Sequence, residues 1–513
     1  MKLLECFDEL WARFEPYFCR SDSFTRSRDL AFAHVVTYGR HTIARLICSK
    51  NEQHHDWSAD YKLFSQRQWA ATDLYFELLK ACDAHSHWPG NALLLALDES
   101  FRKKTGKKIA AVRTLRDPLS LPYHTNLTPA IRFLQASAIV NPQGCLEANR
   151  AIPVFFEEAA PAQKPRNNAP AELKEQYNKE QKEKRISVVA HRALLTIRHQ
   201  IDQLADGKNR LPITTTVDGS FCNRSFLRDA PHHTVVIARA RKDLKLFRPV
   251  AQPRSTDKGG RYRIYGDRLP TPEQIRQDDT YPWQTTRIFA AGNYHEVRYK
   301  VVSPVLWPTG TGPQRCRLLI IAPLRYRKSK KSRLLYRDPA YLLVLDEQLP
   351  EQLMLQCYLL RWDIEVNHRD EKSLMGLGDA QVRSPQSVDR NPQFTVAVYS
   401  ALLLASINAY GPFRTADYLP APKWNLRKEK NDKRPSTLDI MAQFRREIMM
   451  AQLDRDLEQQ ITRMTKNQQR TGRKRPVSWI EARKRGFVTT TDARQKPLKL
   501  PVNIVAAMLY ADS

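Results

Sequence analysis

The sequence has 513 residues, of which 42% are hydrophobic and 27% are charged. It is therefore long enough for roughly two to four folded domains with a sizeable core. Its 83 Lys and Arg residues outnumber its 54 Asp and Glu residues and give a formal net charge of +29. Such an excess attracts polyanions and favours DNA or RNA as a partner, although basicity without a dedicated partner is the alternative.

Several classes of protein are excluded by simple patterns. No C-x2-C pair is present, which argues against a zinc knuckle or a disulfide scaffold and favours free thiols in a reducing cytosol. The first residues, MKLLECFDELWARF, lack the long apolar core of a signal peptide. No run approaches about 18 uninterrupted apolar residues. We therefore expect a cytoplasmic protein that does not span a membrane.

Residues 1–88 are predicted to form a helical N-terminal domain. The run SRDLAFAHVVTYGRHTIARLICS places apolar residues at helical spacing with basic residues between them, and QRQWAATDLYFELLKAC is also amphipathic. This domain is expected either to bind DNA or to pack against the next domain, and the sequence does not distinguish the two.

Residues 89–242 alternate between strand and helix patterns. NALLLALDES predicts a strand, which is followed by the basic turn FRKKTGKK and a second strand at IAAVRTL. A charged loop at 163–185 leads into one helix that continues through SVVAHRALLTIRHQIDQL. The runs LPITTTVDGSF and HHTVVIARA predict two further strands. An α/β architecture follows from this alternation.

The remaining chain divides into three predicted parts. Residues 243–338 contain short alternating runs punctuated by Pro and Gly, which predict a β-rich insertion. Residues 339–412 return to the α/β pattern, with the strand AYLLVLD, a helix across 358–372 and the apolar helix QFTVAVYSALLLASINAY. Residues 413–513 form a basic C-terminal region that we expect to be mainly helical.

Three acidic residues occupy positions suited to a metal site. Asp98 and Asp218 each close a hydrophobic strand, and Glu365 lies on the later helix. A desolvated carboxylate needs a balancing charge, and hard oxygen ligands select Mg²⁺ or Mn²⁺. Two such ions can activate a nucleophile and stabilise the leaving oxygen of a phosphodiester. Taken singly, each acid is more simply explained as a strand cap or an arginine partner.

The stretch YLLRWDIEVNHRDEK at 358–372 places a polar stripe on an otherwise apolar helix. On an ideal helix, Tyr358, Arg361, Glu365 and Lys372 project within about 60° of one another. Arginine, lysine and tyrosine are all phosphate-binding side chains, so one acid among them is typical of a metal-dependent phosphodiester site. The alternative is a solvated helix face with i, i+4 pairs such as Arg361–Glu365.

The spacing Y-x2-R-x3-E-x6-K resembles the signature of the IS4-like (IS4 and IS701-type) DDE transposases of bacterial insertion sequences. In those enzymes a first Asp lies on the first strand of a ribonuclease-H-like core, as Asp98 in LALDES would. A second Asp follows a later strand, as Asp218 in VDGSF would, and a β-rich insertion often precedes the Glu. The resemblance implies a ribonuclease-H-like catalytic core formed by 89–242 and 339–412, with the insertion 243–338 between its two parts.

The same resemblance implies the roles of the site residues. Asp98, Asp218 and Glu365 would be the catalytic metal ligands, with Mg²⁺ or Mn²⁺ and two ions in each active site. Tyr358, Arg361 and Lys372 would contact the phosphates of the transposon end. The partners would be double-stranded DNA, both terminal inverted repeats and target DNA, and a second copy of the chain in a synaptic homodimer. Such a protein works at the nucleoid in the bacterial cytoplasm.

Neighbouring residues leave some alternatives open. Trp362 either stacks on a base or packs in the core. Asp370 and Glu371 lack the required spacing, and Asp363 projects about 160° away from Glu365 around the helix. Two other functions remain available: a different ribonuclease-H-like nuclease, such as a resolvase or repair enzyme, and a catalytically inactive DNA-binding relic.

Overall fold

A large mixed sheet forms the centre of the protein in this computed structural model. The structure describes residues 2–66, 69–106, 108–117, 120–121, 123–124, 126–204, 211–250, 263–327, 332–420, 433–453 and 502. In those residues the sheet has twelve strands: β1 (Leu93–Lys103), β2 (Arg113–Arg116), β3 (Leu127–Val140), β4 (Arg150–Glu158), β5 (Ile213–Val217), β6 (Thr234–Ala240), β7 (Phe247–Pro249), β8 (Tyr265–Arg268), β9 (Gln284–Ala290), β10 (Asn293–Trp307), β11 (Gly312–Ile321) and β14 (Ala340–Val344). A separate small ladder pairs β12 (Arg325–Tyr326) with β13 (Leu335–Tyr336).

Helices cover both faces of the sheet. They are α1 (Lys2–Ala12), α2 (Ser21–Val36), α3 (Ile43–Lys50), α4 (Ser58–Ser65), α5 (Ala71–Asp83), α6 (Ala171–Glu183), α7 (Ile186–Leu204), α8 (Arg224–Leu227), α9 (Pro272–Gln277), α10 (Glu351–Leu360), α11 (Asp363–Ser373), α12 (Pro385–Tyr410) and α13 at 437–453. The expected α/β architecture is therefore present.

The part of the sheet that carries the predicted acids has the order β4–β3–β1–β5–β6. Strand β1 pairs antiparallel with β3 and parallel with β5, and β5 pairs parallel with β6. This mixed arrangement is consistent with the ribonuclease-H-like core that the sequence resemblance implied. The parallel pairs matter for function because their carboxyl ends open at the same edge of the sheet.

Side-chain alternation along β1 separates two hydrophobic cores. Leu93, Leu95 and Leu97 belong to the larger core, which also contains α12 and the N-terminal helices. Leu94 and Ala96 belong to a smaller core with α10 and the start of α11. Successive residues of a strand point to opposite faces, so Asp98 lies on the face that α10 and α11 cover.

The N-terminal residues are helical, as expected, and they pack into the larger core. Phe7 of α1 contacts both Phe32 of α2 and Phe444 of α13 through edge-to-face ring contacts. Packing is thus one role of this region, and DNA binding by it stays a prediction. The domain boundaries inferred from the sequence also remain predictions.

The described residues of 243–338 are rich in strands, and these strands extend the central sheet. Strand β11 pairs with β14, and β10 pairs with β11, β9 and β7. Strand β14 in turn pairs with β6. The inserted strands therefore continue the hydrogen-bonding pattern of the core beyond β6.

Several local predictions were wrong. The second strand after Asp98 is β2 at Arg113–Arg116, and 109–112 forms a turn instead of its first half. The charged segment 163–185, predicted to be a loop, contains the helix α6, and a break at 184–185 separates it from α7, the helix predicted to follow. The long strands β3 and β4 had no counterpart among the predicted elements, although β3 pairs with β1 along most of its length. Of the basic C-terminal region, 421–432, 454–501 and 503–513 lie outside the described residues.

Helix α12 is long and apolar enough to cross a membrane, but 83% of its most apolar 18-residue segment is buried inside the protein. Its side chains form much of the larger core. Burial on this scale is typical of the central helix of a globular fold.

Glu447 of α13 caps the start of α1 and is expected to contribute measurably to stability. Its carboxylate accepts hydrogen bonds from the backbone N–H groups of Leu3 and Leu4 and from the Tyr410 hydroxyl. We expect Glu447→Ala to lower the free energy of unfolding by about 1–3 kcal/mol, because buried donors lose their acceptor. Denaturant unfolding measures this change. The exposed Glu175→Ala is the control, with an expected change within about 0.5 kcal/mol, and equal effects of the two variants would contradict the capping role.

Candidate active site

The parallel pairing of three neighbouring strands stops at the same edge, and charged side chains follow it. The prediction that Asp98 closes its strand was wrong, because β1 continues to Lys103 through its pairing with β3. Leu97 of β1 pairs with Val217 of β5, and Val217 pairs with Ala238 of β6. The residues that follow are Asp98, Asp218 and Arg239. Since neighbouring strands are about 4.8 Å apart, these three residues form a row across the carboxyl ends of parallel strands.

The row faces the helices that carry the predicted signature. On β6, Ile237 packs in the smaller core with α10 and α11, and Arg239 lies two residues further along the same face. Asp98 reaches that face by the same alternation. Helix α11 contacts β1, and α10 contacts β5. Asp98 and Asp218 therefore lie beneath the α10–α11 pair.

The helix predicted across 358–372 is divided at Arg361 and Trp362. Both residues keep right-handed helical backbone angles, but the turn is tightened: the Ile364 N–H donates to the Arg361 carbonyl and the Glu365 N–H to the Trp362 carbonyl. These are i→i+3 bonds, so the 100° spacing of one continuous α-helix does not hold across the turn. The signature residues are thus distributed over two helices, with Tyr358 on α10 and Glu365 on α11.

Arg361 joins two of the three predicted acids. Its Nη1 lies 3.0 Å from Asp98 Oδ2, and its Nη2 lies 3.5 Å from Glu365 Oε1. The arginine side chain is only 10% exposed. The other Asp98 oxygen, Oδ1, accepts the backbone N–H of Glu99 at 2.8 Å. One guanidinium therefore contacts a carboxylate of the strand β1 and a carboxylate of the helix α11.

Asp218 lies in the same row but has a different cation beside it. Its Oδ1 is 3.9 Å from Arg239 Nη1, and its side chain is 41% exposed. It precedes the short turn Gly219–Phe221, where a Cβ on Gly219 would lie at ordinary contact distance from the Arg239 carbonyl. Asp218 is therefore the most accessible of the three acids, and its ion pair is open to solvent.

Burial sets the electrostatics of these carboxyl groups. It raises the pKa of Asp98, an effect that the Arg361 guanidinium opposes. It also raises the pKa of Glu365, again opposed by Arg361. In both cases the charge of Asp218 adds a smaller upward contribution to the pKa, which places its carboxylate within electrostatic range of the other two. Asp98 and Glu365 are thus partly desolvated carboxyl groups whose charges are balanced mainly by Arg361.

The two remaining signature residues border the acids. Burial raises the pKa of the Tyr358 hydroxyl, and Arg239 and Arg361 oppose that rise. Burial lowers the pKa of Lys372, which lies 5.8 Å from the centre of the Phe101 ring of β1. Both side chains are half-buried, so neither belongs to a freely solvated helix face.

The neighbouring acids point elsewhere. Asp363 accepts hydrogen bonds from Arg434 and Asn149. Asp370 accepts one from Thr437, at 2.7 Å. Glu371 is fully buried, with His368 Nδ1 3.6 Å away. Asp363 and Asp370 therefore make their contacts away from Arg361. The core role considered for Trp362 is wrong because this side chain is 56% exposed.

Arg239 is the site residue that sequence reasoning missed. Its signal is present in HHTVVIARA, where a charged residue interrupts an apolar strand at the end nearest the next turn. Alternation alone places Arg239 on one face, but only the pairing of β5 with β6 shows that this face holds Asp218.

A comparison with protein-family models agrees with this geometry. The model described as DDE superfamily endonuclease matches residues 13–311, more than half of the chain. The chain belongs to this family. A search of the curated proteins finds no match. Membership in the DDE endonuclease superfamily supports a nuclease or transposase type of function, with DNA as the substrate and divalent metal ions as the usual cofactors. The matched range includes Asp98 and Asp218 and ends before Glu365.

The residues of this DDE endonuclease site suit a divalent cation in their donor chemistry. Asp98 and Glu365 direct hard carboxylate oxygens towards one shared positive group, which is the arrangement that Mg²⁺ or Mn²⁺ requires. Among the described residues, no three His, Cys, Asp or Glu side chains are grouped closely enough to hold one ion. Arg361 stands between two of the acids, so a three-carboxylate site stays a prediction.

Arg361 is expected to compete with metal ions for the carboxylates. We expect Arg361→Ala to raise the Mn²⁺ affinity of the DNA-free protein at least about fivefold, because removing the paired cation strengthens the attraction of the site by about 1 kcal/mol or more. Titration calorimetry or the electron paramagnetic resonance signal of free Mn²⁺ measures the affinity. Arg239→Ala is the matched control and should have a smaller effect, since its ion pair is longer and more exposed. Unchanged or weaker Mn²⁺ binding by Arg361→Ala would contradict the competition.

Proposed function

We propose that this chain is an IS4-like DDE transposase, which cuts DNA at the ends of its own insertion sequence and joins the 3′-hydroxyl ends to target DNA. The single observation that carries the proposal is the contact of Arg361 with both Asp98 and Glu365. It brings the signature helix onto the first strand of the core, as the family pattern requires. The net charge of +29 suits a DNA substrate.

In the proposed reaction Asp98, Asp218 and Glu365 would hold two divalent ions, Mg²⁺ or Mn²⁺. When bound, such ions lower the pKa of an attacking water or hydroxyl and stabilise the leaving oxygen of a phosphodiester. The chain's own contribution is to hold the carboxylates of Asp98 and Glu365 around one side chain, Arg361, with Asp218 beside them at the same edge of the sheet. A site arranged in advance needs little reorganisation when DNA enters.

The basic side chains around the acids would hold the DNA backbone. Tyr358 can donate a hydrogen bond to a phosphate oxygen, Arg361 can fork to two oxygens, and Lys372 supplies a point charge. Arg239, beside Asp218, extends this set on the strand side of the site. Each phosphate bound next to the acids would be oriented for in-line attack.

Arg361 would change partners during the reaction. Its two terminal nitrogens contact Asp98 and Glu365. A phosphate that takes up this guanidinium removes the positive charge from between the carboxylates, and their electrostatic need for a divalent ion then rises. DNA binding and metal binding would therefore favour one another, as linked equilibria require.

The proposed activity implies an assembly and a location. Two transposon ends must be held together while both are cut, so we propose a synaptic homodimer. Its substrates, terminal inverted repeats and target DNA, place the protein at the bacterial nucleoid in the cytoplasm.

Loss of one acid is expected to abolish cleavage and leave DNA binding intact. We expect Asp98→Asn to lower the cleavage rate by about a thousandfold or more, because several kcal/mol of transition-state stabilisation are lost with one metal ligand. The assay uses a plasmid carrying the DNA that flanks the coding sequence, with Mg²⁺, and gel-shift binding as the second readout. Glu99→Gln is the control, since Glu99 lies next to Asp98 but pairs with Arg132. Wild-type cleavage that survives Asp98→Asn would overturn the assignment.

The phosphate role of Arg361 gives a separate expectation. We expect Arg361→Ala to weaken binding to the same DNA ends about tenfold, because a charge-assisted phosphate contact is worth on the order of 1–3 kcal/mol. Fluorescence anisotropy in the absence of metal isolates this contact from metal binding. Unchanged DNA affinity would mean that Arg361 serves the carboxylates alone.

The family description, an endonuclease, also favours a second candidate: a nuclease that cuts without joining. Strand transfer separates the two functions. Joined products between the cut ends and a target plasmid are expected for the transposase, whereas cleavage products alone would identify the nuclease. The absence of any metal-dependent cleavage by the wild-type protein would leave a DNA-binding relic.

A further inference from the structure

Helix α11, which carries Glu365, starts without a capping side chain. Its first residue follows the tightened turn at Arg361 and Trp362, and no side chain at the N-cap position accepts a backbone N–H. A helix end of this kind is held in place by other contacts. For α11 those contacts come from Asp363 in its first turn.

Asp363 is fixed by two residues that are distant in the sequence. Arg434 donates to both carboxylate oxygens, with Nη1 2.8 Å from Oδ2 and Nη2 3.1 Å from Oδ1. Asn149, immediately before β4, donates its side-chain amide to Asp363 Oδ2 at 2.7 Å and accepts Arg434 Nη1 at its backbone carbonyl. We call Asn149, Asp363 and Arg434 the three-residue clamp. Because Asn149 is only 4% exposed, its buried side chain fixes the position of the clamp in the fold.

A second contact holds the same face of α11 two turns later. The Thr437 hydroxyl, at the start of α13, donates to Asp370 Oδ2 at 2.7 Å, and both residues are 4% exposed. Residues seven apart share a helix face, so Asp363 and Asp370 lie on one side of α11. This side contacts Arg434, just before α13, and Thr437, its first residue. Glu365 follows Asp363 by two positions, about 200° around the helix, and lies on the opposite side.

We propose that Arg434 is a positioning residue for Glu365. Arg434 binds Asp363 on the side of α11 opposite Glu365, and this contact sets the rotation of α11 about its axis. The rotation in turn keeps the Glu365 carboxylate beside Arg361, which also contacts Asp98. The effect of this position on catalysis rests on the proposed function, whereas the effect of Arg434 on the orientation of α11 does not. It assigns a function at the active site to the C-terminal region, for which the sequence suggested only basic character.

The surroundings of the clamp allow positioning to be separated from folding. Arg434 and Thr437 line a polar cavity of about 170 Å³, together with Arg150, Asn367 and Tyr399. Shortening the Arg434 side chain enlarges a space that water can fill, since polar cavities of this size admit water. It therefore removes little apolar packing, and α11 should lose its fixed orientation before the core loses its stability.

Helix α13 also supplies the matched control. Arg445 donates to the backbone carbonyls of Val35 and Thr37, both at 3.0 Å, and thus ties α13 to the N-terminal helices. It belongs to the same C-terminal segment as Arg434 but makes these contacts away from α11. Arg445→Ala should reduce stability without changing the orientation of Glu365.

The test compares the full-length protein with its Arg434→Ala variant by two measurements. Hydrogen exchange is expected to rise in the first two turns of α11 and to change little in β1 and β5. The cleavage rate at saturating plasmid DNA, with Mg²⁺, is expected to fall at least about tenfold, because small misplacements of a reacting group cost up to about 100-fold. DNA affinity is expected to stay within about twofold.

Rescue distinguishes positioning from a general structural defect. The charge-exchanged double variant Asp363→Arg with Arg434→Asp is expected to recover part of both the protection of α11 and the cleavage rate, whereas each single variant loses both.

A fall in DNA affinity that matches the fall in rate would overturn the proposal by making Arg434 a phosphate contact. Unchanged exchange in α11 would also overturn it, as would an equal loss of rate in Arg445→Ala. Failure of the wild-type protein to cut DNA would count against the proposed function alone, because exchange in α11 still tests the clamp.

Discussion

The shared ion pair of Arg361 with Asp98 and Glu365 is the interaction on which the rest of the site depends. It connects the first core strand, β1, to the helix that follows the inserted strands, although 263 sequence positions separate Asp98 from Arg361. Two desolvated carboxylates on one side of a sheet repel each other and favour protonation unless a cation lies between them. Arg361 supplies that cation in this structure, and divalent ions would supply it during the proposed reaction. The same side chain can thus stabilise the two carboxylates and, in the proposed reaction, bind phosphate.

The fold serves this pair by fixing both of its sides. Parallel pairing of β1, β5 and β6 sets Asp98, Asp218 and Arg239 in one row at the carboxyl edge of the sheet. On the helix side, the smaller core seats α10, and the clamp from Arg434 and Asn149 holds the start of α11. Helix α13 carries this support on to the N-terminal helices through Arg445 and Glu447. Helix α13 and the N-terminal helices are therefore packed together behind the candidate active site.

Local sequence patterns predicted the parts of this arrangement that local forces determine. The apolar runs before Asp98 and Asp218 form strands as predicted, although β1 continues past Asp98 to Lys103. The spacing from Tyr358 to Lys372 indicated which side chains would border the acids. Patterns failed where distant residues decide the outcome. The tightened turn at Arg361 lies within a sequence that favours one continuous helix, the pairing of β3 with β1 is a long-range contact, and nothing near Arg434 in the sequence indicates that its partner is Asp363. The metal-binding triad as a closed group also remains a prediction, since Asp218 pairs with Arg239 and not with Arg361.

A crystal structure of the protein bound to a DNA end with Mn²⁺ would test the central claim most directly. The anomalous signal of manganese locates the ions independently of the protein atoms. We predict Mn²⁺ between the carboxylates of Asp98, Asp218 and Glu365, with Arg361 turned from Asp98 to a DNA phosphate. Manganese bound elsewhere, or Arg361 still paired with Asp98 and Glu365 while DNA occupies the site, would contradict it.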